Sequence, residues 1–234
     1  MRNLRILFIT LLALTFFSSC EKKITSHDNS SITYYVNLEL VGDNVVVVAL
    51  GNSYTEPGVL ATENGVDVSS DLVISSDVDE SALGVYDIIY TATNADGFSS
   101  SISRKVVIYD PAAPETDISG AYSTSIVRTE SDGSNPRPYS GAMNITKVAK
   151  GIFYVDCLLG GTYSVGYGYG ASYAMTGYIA LNADNTISLL SSFVKGWGDG
   201  LEGFQNGVYD PATGLPYWES IYAGADIFSV TSSK

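Results

Sequence analysis

The segment Val85–Thr93, which reads VYDIIYTAT, decides the fold class of this chain. The side chains on one face of this segment are all apolar or aromatic, namely Tyr86, Ile88, Tyr90 and Ala92. The opposite face carries polar residues such as Asp87 and Thr91. Successive side chains of a strand point to opposite sides, so this period of two residues predicts a β-strand with one buried face. The turn sequence NADG at 94–97 and the run Ser101–Tyr109 predict a closing strand beside it.

The same kind of sequence extends towards the N-terminus. Tyr34–Val41 and Val45–Leu50 are dense in β-branched and aromatic residues, and the turn-rich triplet GDN at 42–44 separates them. No helical period of useful length occurs between residues 20 and 234. Short strands joined by Gly, Asn and Asp turns predict an all-β chain, with an antiparallel sandwich over residues 32–110.

Three motifs occur in this part of the chain in a recognisable order: YTEPGV at 54–59, LGVY at 83–86 and YTATNADG at 90–97. Residues Leu38–Asp110 therefore resemble the Ig-like repeats of bacterial surface proteins, which implies an Ig-like sandwich. The chain departs from those repeats at ENGVD (63–67), where family members often carry a denser acidic loop. Asp77, Asp79 and Glu80 are typical of a solvated loop, and hard cations need six or more converging oxygens, so we expect no metal site.

The first residues predict export. Two arginines precede an apolar run at 6–17, which has the length of a signal-peptide core and is too short to span a bilayer. The sequence FSSC at 17–20 resembles the lipobox of bacterial lipoproteins, although Phe17 replaces the usual aliphatic residue. This resemblance implies a signal peptide at 1–19 and a lipid on Cys20 that anchors the protein to the membrane. The alternative is an ordinary secretory signal followed by a chance cysteine.

Composition narrows the possible partners. Residues 20–31 are polar and predict a flexible tether, and the chain's only histidine, His27, lies there without partners for a metal site or a catalytic pair. Removal of residues 1–19 takes away Arg2 and Arg5, so the formal charge of −13 becomes −15. A chain this acidic repels polyanions, so we expect no nucleic acid partner. After lipidation Cys157 would be the one remaining cysteine, which excludes an intramolecular disulfide.

A domain boundary is predicted at the Pro-rich joint 111–117. Two prolines in the sequence PAAP at 111–114 predict a stiff, extended spacer. Beyond it, predicted strands flank the turns AKG (149–151), NADN (182–185) and DPATG (210–214), and a last strand covers Ile227–Thr231. Consecutive hairpins form a meander, so residues 118–234 are predicted to be a small antiparallel barrel or sandwich.

This second half resembles a Bacteroidetes lipoprotein family of unknown function. The resemblance rests on GYGYGASYAMTGYIALNADN (166–185), GWGDG (196–200) and VYDPATG (208–214). Members carry an Ig-like domain in front and often accompany outer-membrane glycan-uptake systems. The resemblance therefore implies an outer-membrane, lipid-anchored protein, with glycan and a transport complex as expected partners. Two orientations are open: exposure at the cell surface, or a position on the periplasmic face.

Tyrosines and glycines alternate in the stretch 160–178. The spacing of Gly166, Gly168 and Gly170 resembles that of a dinucleotide-binding loop, but no helix follows and no βαβ unit surrounds it. We therefore expect no cofactor. If the stretch were extended, alternate tyrosines would line one face, and aromatic faces suit sugar rings. Trp197 lies in a glycine-rich loop, whereas Trp218 lies in a predicted strand and is expected to be core. The candidate ligand-binding residues are Trp197, Tyr167, Tyr169, Tyr173 and Asp199. The alternative is that the tyrosines simply fill a small barrel.

Few residues of this chain suit catalysis. The carboxylates that a glycosidase would need are present but no pair stands out among Asp156, Asp199, Glu202, Asp210 and Glu219. No nucleophile motif or zinc-protease motif occurs, so we predict that the protein is not an enzyme. Two functions remain: a non-catalytic carbohydrate-binding lipoprotein of a glycan-uptake system, or a structural, adhesin-like protein that docks on another outer-membrane component.

Overall fold

The structure is a computed structural model, and it describes residues 32–234. The predicted signal peptide, Cys20 and the predicted tether lie outside the described residues. Within 32–234, no helix has both the length and the apolar character that a membrane span requires.

The first half forms two small sheets. Its strands are β1 (Asn37–Leu40), β2 (Val45–Ala49), β3 (Val59–Glu63), β4 (Val66–Asp67), β5 (Val73–Ser76), β6 (Gly84–Thr93) and β7 (Ser99–Tyr109). One sheet has the order β1-β3-β4 and the other β2-β7-β6-β5. The predicted strand and its partner form the antiparallel pair β6–β7, joined by the turn at 94–97. One pair, β2–β7, is parallel. The strands on either side of the GDN triplet, β1 and β2, lie in different sheets and do not pair with each other.

The predicted apolar face of β6 forms the core of this half. Ile88 and Tyr90 are buried together with Val59, Val106 and Ile108. Beside this core the guanidinium of Arg104 is fully buried, with its Nε atom 3.0 Å from Glu56. Its other nitrogens donate to backbone carbonyls of Val41, Asp43 and Gly58. A buried charge is tolerated only when it is paired and hydrogen-bonded, and Arg104 meets both conditions.

The second half is a single eight-stranded antiparallel sheet. Its strands are β8 (Gly120–Thr129), β9 (Arg137–Ala149), β10 (Ile152–Val155), β11 (Met175–Leu181), β12 (Ile187–Val194), β13 (Gly203–Asp210), β14 (Leu215–Tyr222) and β15 (Asp226–Ser233). The order is β12-β11-β10-β9-β8-β15-β14-β13, so β8 pairs with β15 and the meander curls back on itself. The predicted hairpins at 149–151, 182–185 and 210–214 are confirmed.

The edge strands β12 and β13 come together, so the sheet is a nearly closed barrel. The backbone N–H of Tyr209 donates to the carbonyl of Asn185 at 2.9 Å, and Thr186 pairs with Val208. Inside, Trp218 is fully buried as predicted, and its Nε1 donates to the carbonyl of Leu158 at 2.8 Å. Closure removes the exposed edges that a meander would otherwise present to solvent.

Three features differ from the sequence-based expectations. Strand β8 was not predicted, because its polar residues at 123–125 weaken the alternation. The tyrosine-rich stretch is not extended: it forms a π-helical turn at Thr162–Gly166 and a 3₁₀ turn at Ala171–Tyr173. The Pro-rich joint opens with a turn rather than an extended spacer, since the N–H of Ala113 donates to the carbonyl of Asp110 and Ala113 is buried.

Candidate binding surface

The topology of the barrel gathers four connections at one end. Adjacent antiparallel strands reverse direction, so the β8–β9, β10–β11, β12–β13 and β14–β15 connections all lie on the same side. Side chains from these four connections and the adjoining strand ends form what we call the aromatic cluster, comprising Tyr139, Tyr163, Tyr167, Tyr169, Tyr173, Trp197 and Tyr222. Residues distant in sequence therefore meet on one surface.

The β10–β11 connection supplies four tyrosines through its helical turns. The N–H groups of Val165 and Gly166 both donate to the carbonyl of Gly161, which winds the chain into a wide turn. This turn stacks the buried ring of Tyr163 against Tyr167 at 5.4 Å and Tyr169 at 6.2 Å between ring centroids. An extended strand would have pointed these side chains along a line, whereas the turn gathers them around one buried ring.

Trp197 contacts four rings of the aromatic cluster. Its indole is 4.8 Å from the ring of Tyr173 and 4.9 Å from that of Tyr163, both in edge-type geometry. The exposed fractions are 42% for Trp197, 50% for Tyr169 and 39% for Tyr167. Trp197, Tyr169 and Tyr173 line a cavity of about 390 Å³. The surface is therefore concave and aromatic, and it is open to solvent.

Gly196 is required where the two connections touch. Its N–H donates to the carbonyl of Ser172 at 2.7 Å, which ties the β12–β13 connection to the tyrosine-rich turn. A Cβ atom on Gly196 would lie 2.5 Å from ring carbons of Tyr173, closer than atoms can approach. The absence of a side chain at Gly196 thus lets the Tyr173 ring lie against Trp197.

One end of the cluster is acidic. The hydroxyl of Tyr222 donates to Oδ1 of Asp199 at 2.9 Å, and the ring of Tyr222 lies 5.9 Å from the indole of Trp197. Burial, and then the hydrogen bond to Asp199, raise the pKa of Tyr222 above its ordinary value. Tyr222 is therefore protonated at neutral pH and holds Asp199 at the edge of the surface.

The other end carries two arginines. Nε of Arg128 lies 2.6 Å from Oδ2 of Asp226, and Arg137 reaches the same oxygen at 3.4 Å. The Arg128 guanidinium also lies over the ring of Tyr163 at 5.8 Å, a cation–π contact. The hydroxyls of Tyr139 and Tyr167 are 2.6 Å apart, and Arg128 approaches that of Tyr167 at 3.4 Å.

The structure brings the residues singled out from the sequence onto one surface. Tyr167, Tyr169, Tyr173 and Trp197 belong to the aromatic cluster, and Asp199 is bonded to its member Tyr222. The lipidation candidate Cys20 lies outside the described residues. Sequence reasoning missed a further set of residues: Tyr139, Tyr222, Arg128, Arg137 and Asp226. The local signal that could have placed Arg128 on the inner face is its even spacing from Tyr122 and Ile126 along β8.

The carboxylates considered for hydrolysis accept hydrogen bonds from neighbouring groups of the barrel. Glu202 accepts the N–H groups of Gly224 and Ala225, and these bonds lower its pKa. The pKa of Asp210 is also lowered, mainly because its carboxylate accepts a hydrogen bond from the N–H of Ala212. Burial alone would raise the pKa of Glu219. Hydrogen bonds from polar neighbours have the larger effect, so the pKa of Glu219 is lowered. Among residues 32–234, no group of three His, Cys, Asp or Glu side chains is arranged so that it could hold a metal ion.

Comparison with known proteins identifies both halves of the chain. A model of the bacterial surface protein Ig-like domain matches residues 38–108, and a C-terminal domain model matches residues 111–234, more than half of the chain. The lipoprotein BT2262 from Bacteroides thetaiotaomicron is 36% identical; the match covers 86% of this chain and 100% of that one, with a TM-score of 0.48. No curated protein sequence is similar enough to count as a relative.

Two further solved structures are much more distant. Both belong to ZmpB of Clostridium perfringens and contain carbohydrate-binding modules, one of them in complex with GlcNAc. They are 15% and 17% identical, and the matches cover 54% and 51% of this chain against 14% and 31% of theirs. Both TM-scores are 0.29, which is too low to carry an argument about this chain. The sequence identity over the whole of that lipoprotein and the two family models are decisive: the chain belongs to the family of the Bacteroides lipoprotein, with a bacterial surface Ig-like domain followed by a C-terminal domain matched over residues 111–234.

Proposed function

We propose that this protein is a lipid-anchored carbohydrate-binding protein of the outer membrane, without catalytic activity, that serves a glycan-uptake system. In this proposal Cys20 carries the lipid, the Ig-like half is a spacer, and the aromatic cluster binds the glycan. The observation that carries the proposal is the group of three exposed rings, Tyr167, Tyr169 and Trp197, at the strand connections of a rigid barrel.

Exposed rings on a rigid scaffold favour a sugar ligand for a physical reason. The apolar C–H face of a sugar ring packs on an aromatic ring, while its hydroxyls bond to polar groups at the edge of the surface. Tyr169, Tyr173 and Trp197 provide the concave aromatic part, and Asp199 and Arg137 provide polar groups at its two ends.

The carboxylates support a non-catalytic role. A glycosidase needs a general acid whose pKa is raised, usually by burial, so that it holds a proton near neutral pH. At Glu202, Asp210 and Glu219 hydrogen bonds shift the pKa in the opposite direction. These side chains are therefore suited to stabilising turns and strands rather than to donating a proton.

The experiment is affinity electrophoresis of the purified protein through gels that contain soluble polysaccharides. We expect wild type to be retarded by at least one polysaccharide and Trp197→Ala to lose most of this retardation. The matched control is Phe98→Ala, because Phe98 is an equally exposed aromatic residue, 49%, in the Ig-like half. Equal retardation of Trp197→Ala and wild type would place the glycan elsewhere on the protein.

The second candidate function is docking on another outer-membrane component. The observation that favours it is a set of exposed apolar side chains on the Ig-like half, with exposed fractions of 69% for Val73, 58% for Ile74 and 44% for Ile89. If no polysaccharide retards wild type and Trp197→Ala lowers the melting temperature by many degrees, the cluster is structural and the docking role gains support. Truncation of a core tryptophan costs about 3–5 kcal/mol, which such a shift would report.

A further inference from the structure

Two arginines face each other directly across the β8–β9 pair. Arg128 and Arg137 are register partners on these antiparallel strands, at the end of the barrel that carries the aromatic cluster. Like charges in directly opposite positions of a sheet destabilise it. The placement is notable because residues 116–234 contain six bases and ten acids, so an arginine pair is unexpected in this half.

A single carboxylate stands against the two guanidinium groups. Both arginines contact the same atom, Oδ2 of Asp226, at 2.6 Å from Arg128 and 3.4 Å from Arg137. Asp226 cannot neutralise two charges, so one positive charge is left without a close counterpart among these contacts. The side chains of Arg128 and Asp226 are mostly buried, whereas that of Arg137 is 44% exposed and can reach a ligand.

The arginine pair adjoins the tyrosines rather than the acidic end of the cluster. Arg128 touches the hydroxyl of Tyr167, which in turn is bonded to Tyr139. The bond to Tyr167 raises the pKa of Tyr139, while Arg128 and Arg137 oppose this change. Asp199 instead lies in the β12–β13 connection, where it accepts the hydroxyl of Tyr222. Glu202 accepts the N–H groups of Gly224 and Ala225, directly before Asp226. The two guanidinium groups therefore lie beside the hydroxyls of Tyr139 and Tyr167.

We propose that the aromatic cluster selects acidic glycans, whose carboxylate or sulfate group binds at the Arg128–Arg137 pair while neighbouring sugar rings pack on Tyr167, Tyr169 and Trp197. This inference rests on the proposed function and names its ligand class. A guanidinium group offers a planar fork of N–H donors that matches a carboxylate or sulfate, and such charge-assisted bonds are stronger than neutral ones. An anion there would also relieve the repulsion between the two arginines.

The test uses calorimetric titration of the folded chain with galacturonic acid oligomers, their carboxyl-reduced neutral counterparts, and sulfated oligosaccharides. We expect the acidic oligomers to bind at least about tenfold more tightly than the neutral ones, with affinity that falls as salt rises. Arg137→Gln should remove this preference. Lys147→Gln, which removes the same charge from the far end of β9, should retain it. The uronate and sulfate arms distinguish the two kinds of anion.

The possible outcomes separate the preference for acidic glycans from carbohydrate binding itself. Tight binding of acidic oligomers that depends on Arg137 supports the inference. Equal binding of neutral and acidic oligomers that still requires Trp197 overturns the inference and leaves carbohydrate binding in place. An absence of binding to every oligomer, together with an absence of retardation by any polysaccharide, overturns both.

Discussion

At the scale of single residues, glycine positions decide how the aromatic rings meet. Gly196 leaves room for the ring of Tyr173, and Gly160 and Gly161 adopt positive φ angles of 62° and 96° where the tyrosine-rich turn begins. Such angles are costly for any residue with a side chain. The alternation of tyrosine with glycine suggested an extended strand, but the glycine pair that starts the turn was the better signal.

A methyl group at Gly196 should therefore disturb the cluster from within. We predict that Gly196→Ala pushes the Tyr173 ring away from Trp197, lowers stability by about 1–3 kcal/mol, and weakens glycan binding severalfold. The measurement is a double-mutant cycle of binding affinity with Tyr173→Ala. In the Tyr173→Ala background, Gly196→Ala should have little further effect. Additive losses in the cycle would show that the two residues act independently.

Tyrosine burial gives the protein a characteristic response to alkaline pH. The pKa is raised, mainly by burial, for many tyrosines, and that of Tyr90 rises to about 12. Unfolded tyrosine has a pKa of about 10, so the unfolded chain loses these protons first. The stability that these raised tyrosine pKa values contribute is fully present below pH 10. It is lost as the pH rises towards the pKa values of the folded chain.

We therefore predict that the free energy of unfolding changes little between pH 7 and 9 and falls steeply above about pH 10. Urea titrations at several pH values measure this dependence, and Tyr90→Phe should make the fall shallower. Stability that stays constant or rises between pH 10 and 11 would contradict the assignment of the buried tyrosines.

At the scale of elements, the strands that could be predicted from the sequence are those with a clear alternation of apolar and polar residues or with clear turn residues at their ends. Strand β6 was predictable because one face is apolar throughout, and β7 because a turn at 94–97 leads into it. The three C-terminal hairpins were predictable because Gly, Asn and Asp mark their turns. Strand β8 was not predicted because Ser123, Thr124 and Ser125 form a polar run in which the two faces of the strand do not differ. The parallel β2–β7 pair was also unpredictable, since the strand that follows a turn need not pair with the one before it.

The candidate site was predictable only in part. Tyr167, Tyr169, Tyr173 and Trp197 stood out through their unusual glycine-rich context, which is a local signal. Tyr139, Tyr222 and the two arginines come from strand ends that barrel closure brings together. Their participation depends on the pairing of β8 with β15, a long-range contact that no local pattern encodes.

At the scale of the whole molecule, the two halves share an apolar contact. Val107 of β7 is buried with Ala149, Ile152 and Ala180 of the barrel half. The linker also binds the barrel half, because Nζ of Lys150 donates to the carbonyl of Pro111 at 2.9 Å. The barrel nevertheless has its own large core around Trp218, so we propose that it is an independent domain.

A fragment of residues 111–234 should therefore fold without the Ig-like half. We predict a cooperative thermal transition at a lower temperature than in the full chain, because the Ala149–Ile152–Ala180 surface becomes exposed. Differential scanning calorimetry measures both transitions. A fragment that melts without cooperativity would show that the halves form one folding unit.

The proposed anchor makes a separate prediction. Cys20→Ala should abolish labelling with radioactive fatty acid and move the protein from washed membranes to the soluble fraction, because stable attachment needs at least two lipid chains. Immunoblotting of the fractions measures this shift. Retention of the variant in washed membranes at the wild-type level would refute the lipid anchor.

The central claim, that the aromatic cluster contacts a glycan, is tested most directly by tryptophan fluorescence. The chain has two tryptophans, the buried Trp218 and the exposed Trp197, so Trp197→Phe leaves only a buried reporter. Titration with the oligosaccharide that binds most tightly should shift the emission of wild type to shorter wavelength, because a sugar ring displaces water from the indole. The shift should vanish in Trp197→Phe. A shift of the same size in Trp197→Phe, or binding to wild type without any change in emission, would contradict the claim.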